Sequence, residues 1–280
     1  MTKRSTSEGN AAGGAEGNAA GDAAGDAYAR RLAAVVAGHQ GEAAVAEGLL
    51  DDDDASVRAA ALGALARCGA LQADQVRRAL GDEAAEVRCR AAELVPHDVE
   101  LVELVELLSD PDASVVEVAA AALGERDWDA GPVGELCRVA RSHDDPLCRE
   151  SAVAALGAIA AGLDAEADAP HEAAADPAAR PGPGHATAAG TPHEAAADPA
   201  TEPDSGHTTA AGTPHEAARG MALEVLLAAM DDRPQIRRRA LLGLFQFDDD
   251  RAAAAVRAAL EDRDRQVRAV AGELLGVPVR

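Results

Sequence analysis

The sequence predicts an all-α protein, in which about six helix hairpins stack into an elongated, right-handed α-solenoid. Three observations predict this class. A Val-Arg anchor, or a close variant of it, recurs along the chain. An alanine follows each anchor at the fourth position and an apolar residue at the eighth. Because positions 0, 4 and 8 lie on one face of a helix, each segment presents an alanine-centred stripe to a neighbour.

Six segments carry this pattern, and successive anchors lie 30, 28, 33, 88 and 31 residues apart. The spacing predicts repeats of about thirty residues with one long insertion. In each segment the anchor, the alanine and the apolar residue are, in order, Val57, Ala61 and Leu65; Val87, Ala91 and Val95; Val115, Ala119 and Leu123; Cys148, Ala152 and Leu156; Ile236, Ala240 and Leu244; and Val267, Ala271 and Leu275.

Each segment forms the second helix of a predicted hairpin. A leucine seven residues before four of the anchors ends an apolar stretch that indicates a preceding helix, and an Asp-rich turn separates the two. Asp54, Asp112, Asp145 and Asp264 are placed to cap the second helices. A hairpin of this size cannot bury its apolar face alone, so the units must stack.

Two further segments contain little that could be buried. Residues 1–27 repeat an eight-residue unit rich in Gly and Ala, and residues 163–218 hold eight of the fourteen prolines and a duplication with a period of 22 residues. Such compositions predict disorder. The predicted order is a disordered tail at 1–27, a capping helix from Tyr28 with repeats 1–4 at 28–162, a disordered insertion at 163–218, and repeats 5 and 6 at 219–280.

Composition excludes several function classes. Aromatic residues make up 1% of the chain, too few for a stacking surface for nucleic acid, and 26 basic residues against 49 acidic ones give a net charge of −23. High-salt adaptation and a GC-rich genome both remain open as causes. We find no long apolar stretch or signal-like segment, and the four cysteines are scattered. These features predict a cytoplasmic protein with no nucleic-acid or membrane partner.

The units resemble HEAT repeats of the short bacterial and archaeal type named after phycocyanobilin lyases. Leu49–Gly63 and Leu107–Gly124 carry the resemblance most clearly, and it covers nearly all of residues 42–162 and 219–276. It implies that a turn aspartate pairs with the arginine six residues later and forms a ladder between units. That spacing holds for Asp52 and Arg58, Asp82 and Arg88, Asp231 and Arg237, and Asp262 and Arg268.

Two units depart from this pattern. Asp110 faces Val116, and His143 replaces the aspartate before Arg149, so a weaker ladder is expected at both. The ladder arginines could instead form a basic binding stripe, but their acidic partners favour a structural role. The candidate contacts for a partner are therefore the surplus arginines and the few large rings: Arg90, Arg238, Arg239, Trp128, Phe245 and Phe247.

The strongest candidate for catalysis is a His-Glu pair that occurs at His171, His193 and His215. It resembles the pairs with which deoxyhypusine hydroxylase, also built on HEAT-like repeats, holds two irons. Here each pair follows a proline inside the insertion, where no rigid helix fixes the ligands. Zinc spacings and phosphate-binding loops are absent from the sequence. We therefore predict no metal and no cofactor.

These observations favour a non-catalytic scaffold or adaptor that binds an unidentified protein or peptide on its concave face, lined by the second helices. The alternative from the same resemblance is an enzyme or enzyme accessory. It would be either a lyase-like chromophore handler or a relative of deoxyhypusine hydroxylase. Recognition of DNA is disfavoured by the negative charge.

Overall fold

The computed structural model describes residues 12–95, 102–126, 130–167 and 213–278. In these ranges the alanine-rich segments form helices separated by short turns. These residues form thirteen α-helices and three 3₁₀ turns, with no β-strand among them, so the predicted all-α class is confirmed. The helices are α1 (Ala12–Gln40), α2 (Ala43–Glu47), α3 (Ala55–Arg67), α4 (Ala73–Leu80), α5 (Ala85–Glu93), α6 (Val102–Glu106), α7 (Ala113–Gly124), α8 (Val133–Ser142), α9 (Pro146–Ala167), α10 (Pro214–Ala228), α11 (Pro234–Leu244), α12 (Asp250–Ala258) and α13 (Arg265–Leu275).

The helices pair into six hairpins that follow α1. The second helices α3, α5, α7, α9, α11 and α13 contact one another in chain order, and α1 packs against α3 at the beginning of the row. The first helices of the hairpins form the other layer, in which α8 contacts α10 and α10 contacts α12. Units 4 and 5 are neighbours, because α9 packs directly against α10 and α11 although residues 168–212 lie between them in sequence.

The core is the stripe that the sequence predicts. The six repeat alanines at positions 61, 91, 119, 152, 240 and 271 are all fully buried. Small residues let the second helices approach closely: a Cβ added to Gly157 would lie 2.8 Å from Cα of Gly243. No side chain fits between α9 and α11 at that point.

Aspartates fix the starts of the second helices. Asp54 Oδ1 accepts the backbone N–H of Ser56 at 2.9 Å, and Asp112 Oδ1 accepts that of Ser114 at 2.9 Å. Asp145 and Asp264 accept equivalent bonds at the starts of α9 and α13. All four predicted caps are therefore present, and each satisfies an N–H that the helix leaves free.

The predicted segment boundaries differ from those of the structure at three places. α1 begins at Ala12, earlier than Tyr28, so the capping helix extends into the range assigned to the tail. α9 continues to Ala167, and α10 begins at Pro214. Leu163 and Ala218, placed in the insertion by composition, are buried in the core. The segment between the helices is therefore 168–212, and it lies outside the described residues, as do residues 1–11.

One stretch, Pro146–Leu163 in α9, is long and apolar enough to cross a membrane, with a mean hydropathy of 1.2. Half of it is buried, and α9 packs against α7, α8, α10 and α11. This stretch occupies the place of a core helix in the repeat array.

Candidate functional site

A ladder of arginines and aspartates runs along the turns and joins neighbouring units. In unit 1, Arg58 donates from Nη1 to the main-chain oxygen of Asp52 at 2.9 Å, and from Nε and Nη2 to both carboxylate oxygens of Asp82 in unit 2 at 2.9 and 2.7 Å. Five such rungs, each with a bidentate carboxylate, lie among the described residues: Arg30–Asp52, Arg58–Asp82, Arg88–Asp110, Arg149–Asp232 and Arg237–Asp262.

The direction of these rungs differs from the expected pairing. The arginine six residues after a turn aspartate donates to the main-chain oxygen of that aspartate and not to its carboxylate. The carboxylate of the aspartate instead binds the arginine of the preceding unit. The carboxylate of Asp52 is thus bound by Arg30 in α1, a helix without the Val-Arg anchor, so no repeat signal in the sequence marks this arginine. Asp231 is exposed, and Asp232 replaces it in the ladder.

Arg268 belongs to the last unit. Its Nη1 donates to the main-chain oxygen of Asp262 at 2.7 Å, as in the other units. The carboxylate of Asp262 is bound by Arg237, and no described carboxylate receives the remaining donors of Arg268. The predicted pair Asp262–Arg268 therefore reduces to a backbone contact.

The two departures from the repeat pattern are the two halves of one missing rung, between units 3 and 4. Val116 is buried at the position of the arginine in unit 3. His143 stands at the position of the aspartate in unit 4, and its Nδ1 accepts the N–H of Asp145 at 3.1 Å. Asp110 Oδ1 makes the same turn contact with the N–H of Asp112. Because Asp110 binds Arg88 and Arg149 binds Asp232, the ladder lacks one rung rather than being weakened at two units.

The rungs lower the pKa of their carboxyl groups. Hydrogen bonds from Arg30 and Arg149 hold the pKa of Asp52 and Asp232 below the usual value. Burial by itself would raise the pKa of the three other rung aspartates, but the paired guanidinium group and a backbone N–H together outweigh it, and their pKa is also lowered. The paired ladder arginines are thus satisfied within the protein and do not form a free basic stripe.

The surplus arginines also have partners. Arg90 Nη1 lies 2.6 Å from Glu93, Arg238 donates to Gln266, and Arg239 Nε lies 3.2 Å from Oε1 of Glu150. Of the predicted aromatic contacts, Phe245 is exposed at the end of α11. Phe247 is half-buried, with the guanidinium of Arg219 5.0 Å from its ring centre. Trp128 lies outside the described residues.

A groove runs across the exposed face of α7, α9 and α11, and we call it the second-helix groove. Two depressions of about 330 and 250 Å³ form it, and both are lined by Ala154 and Arg239. The floor of the groove consists of small residues, and exposed leucines and carboxylates line it: Gly124, Ala154, Gly157, Ala158, Leu147, Leu242, Glu117, Glu125 and Glu150. Within the described part of the chain, Glu117 and Glu125 form no ion pair.

The described residues bring no cluster of metal ligands together. No group of three or more His, Cys, Asp or Glu side chains is placed to hold a metal in this part of the chain. Glu216 of the third His-Glu pair forms a capping box with Thr213 at the start of α10, and the two other pairs lie outside the described residues. Burial, together with the negative charges of Asp145 and Glu117, raises the pKa of Cys148 to about 11, so its thiol is protonated at neutral pH.

Comparison with known proteins gives the fold. No protein-family model and no curated protein matches this chain. Among solved structures, an engineered protein is 17% identical, with 84% of this chain and 95% of that chain covered and a TM-score of 0.52. A designed armadillo repeat protein in complex with the peptide (KR)4 is 14% identical over 82% of this chain and 96% of that chain, with a TM-score of 0.50. Another designed armadillo repeat protein is 16% identical over 82% and 97%, with a TM-score of 0.51. The chain therefore has an armadillo-like helical repeat fold.

Proposed function

We propose that this protein is a non-catalytic scaffold of the short HEAT-like type, and that it binds an extended segment of another protein in the second-helix groove. The observation that carries the proposal is the composition of the groove: half-exposed leucines and unpaired carboxylates stand over a floor of small residues. The ladder contributes its charges to contacts between units, whereas this face keeps carboxylates available to a ligand.

Charge supports a basic partner. Glu117 and Glu125 carry no ion pair among the described residues, and the whole chain has a net charge of −23. The designed armadillo repeat protein with a similar fold forms a complex with the basic peptide (KR)4. Complementary charge speeds the encounter and selects against acidic ligands, while the exposed Leu147 and Leu242 offer apolar contacts.

The cytoplasm is the proposed location. Cys68, Cys89, Cys137 and Cys148 are all free thiols, as is usual in a reducing compartment. An acidic partner for the surplus arginines is a weaker proposal, because Arg90 and Arg239 are already bound by Glu93 and Glu150.

The test is fluorescence anisotropy with a labelled (KR)4 peptide at about 50 and 200 mM salt, where screening differs strongly. Replacing Glu117 and Glu125 by Gln should weaken binding at least several-fold. The matched control replaces Glu47 and Glu261, exposed glutamates outside the groove, by Gln and so removes the same charge. Equal weakening in both variants, or no binding by the wild type, would refute the assignment of the groove.

A further inference from the structure

Arg239 and Glu150 form an ion pair across the middle of the groove, and the pair is loose. Arg239 Nε from α11 lies 3.2 Å from Oε1 of Glu150 in α9, and the two side chains are 51% and 22% exposed. By contrast, the ladder arginine Arg237 is 3% exposed and makes bonds of 2.6 and 2.9 Å to both oxygens of its aspartate. A half-exposed pair with a single long bond contributes little to stability and exchanges readily.

Glu150 borders open space on two sides, and the two sides differ in charge. The depression of about 330 Å³ toward α7 is lined by two further carboxylates, Glu117 and Glu125, as well as by Arg239 itself. The smaller depression on the other side, about 150 Å³, is lined by Arg233. A cation from a ligand therefore approaches Glu150 from the α7 side, where carboxylates attract it and Leu147 can cover the methylene groups of its side chain.

We propose that Glu150 is the guanidinium-binding subsite of the second-helix groove, and that Arg239 occupies this subsite as an internal competitor when no ligand is bound. This inference rests on the proposed function. A ligand arginine that approaches from the α7 side can donate two parallel N–H bonds to Glu150, whereas Arg239 donates one. Bidentate charge-assisted bonds are the stronger kind, and a lysine cannot make them in the same geometry.

The inference reverses the role that the sequence suggests for Arg239. As a direct contact, Arg239 would strengthen binding of an acidic partner, and its removal would weaken binding. As an internal competitor, it lowers the affinity for a basic partner, and its removal strengthens binding.

The test measures the anisotropy of labelled octa-arginine and octa-lysine peptides, which carry equal charge. Arg239→Gln should bind octa-arginine two- to five-fold more tightly than the wild type does. Arg257→Gln, which removes an exposed arginine of α12 outside the groove, is the control for net charge. In Glu150→Gln the preference for octa-arginine over octa-lysine should shrink, and adding Arg239→Gln to that variant should give no further gain. Circular dichroism checks that every variant is folded.

The outcomes separate the two proposals. Weaker binding by Arg239→Gln, or an equal gain in Arg257→Gln, overturns the role of Arg239 while peptide binding by the wild type still supports the groove. An equal gain from Arg239→Gln with and without Glu150 also overturns the subsite. If neither the wild type nor Arg239→Gln binds either peptide, the proposed function fails as well.

Discussion

Breaking the rung between Arg237 and Asp262 should destabilise the protein far more than breaking a surface ion pair. The Arg237 side chain is 3% exposed and that of Asp262 is 13% exposed, so both charges are largely removed from water. Arg237 donates to both Asp262 oxygens and to the main-chain oxygen of Asp232. Replacing Asp262 by Asn removes the negative charge but keeps an oxygen that can accept the N–H of Asp264, as Asp262 does at 2.7 Å.

The expected cost of Asp262→Asn is about 3 kcal/mol, because it leaves a buried guanidinium without its counter-charge, and losses of ~3–5 kcal/mol are typical of that change. Arg237→Val should cost about 2 kcal/mol, since it removes the bond to the Asp232 carbonyl and leaves a partly buried carboxylate unpaired. Both changes act through the same contact. Their effects should therefore not add.

The interface between units 3 and 4 shows which uncharged pair can replace an arginine–aspartate rung in this protein. Val116 and His143 occupy the arginine and aspartate positions of the missing rung, and His143 keeps the turn contact through Nδ1. We therefore expect the double variant Arg237→Val with Asp262→His to be less destabilised than the sum of its single variants by about 2 kcal/mol, a coupling typical of residues in direct contact.

Urea denaturation followed by circular dichroism gives the free energies of unfolding, with an unchanged slope as the check that each variant unfolds in the same way. Glu224→Gln is the surface control. It breaks the exposed pair Arg251–Glu224, and we expect a much smaller loss of stability than at Asp262, because solvent screens exposed charges. Additive single and double variants, or a loss at Asp262 no larger than at Glu224, would refute the reasoning.

Four further outcomes are expected. Folding lowers the pKa of the rung aspartates. Their contribution to the free energy of unfolding is therefore complete above the ordinary carboxyl pKa of about 4, and it is lost as pH falls through the lower pKa values of the folded state. The urea midpoint of the wild type should fall more steeply below pH ~4 than that of Asp262→Asn. Deleting residues 168–212, whose composition predicts no packed core, and joining the ends with a short flexible linker should leave the melting temperature nearly unchanged. Deleting 163–218 should lower it by several degrees, because this deletion also removes Leu163 and Ala218, which are buried in the core. Thr213→Ala should cost about 1 kcal/mol through its capping bond, and His215→Ala much less; stoichiometric iron that is lost in His215→Ala would instead support the hydroxylase alternative. If the acidity reflects adaptation to salt, the melting temperature should rise steeply with added salt, and a flat response favours genome composition as the cause.

The repeat architecture could be predicted because its signals are local. The alanine at the fourth position after each anchor is buried, since the helix period alone places it on the packed face. The turn aspartates cap the helices for an equally local reason, a bond to an N–H two residues away. Composition was a poorer guide to the ends of elements, because Leu163 and Ala218 stand in alanine-rich sequence that continues into the core.

Contacts between units could not be predicted, because the sequence gives distances along one unit only. Arg58 lies six residues from Asp52, yet its Nε and Nη2 extend to Asp82 in the next unit. Arg239 and Glu150 are 89 residues apart and meet only because α9 and α11 are neighbours. A binding surface on the second helices was expected, but its carboxylates Glu117, Glu125 and Glu150 were not identified, because the stacking of the units decides which carboxylates lack a partner.

The interface without a rung is also the interface that carries the acidic end of the groove. Val116 lies in α7 and His143 precedes α9, and Glu117, Glu125 and Glu150 line the groove between these two helices. Close packing joins the helices there: a Cβ on Gly124 would lie 3.1 Å from Cα of Ala155, and the thiol of Cys148 donates to the Ala113 carbonyl at 3.1 Å. These contacts join α7 and α9 at the interface that lacks a charge pair at the turn. Among the described residues no arginine pairs with Glu117 or Glu125 at this interface, so their carboxylates remain available to the proposed ligand.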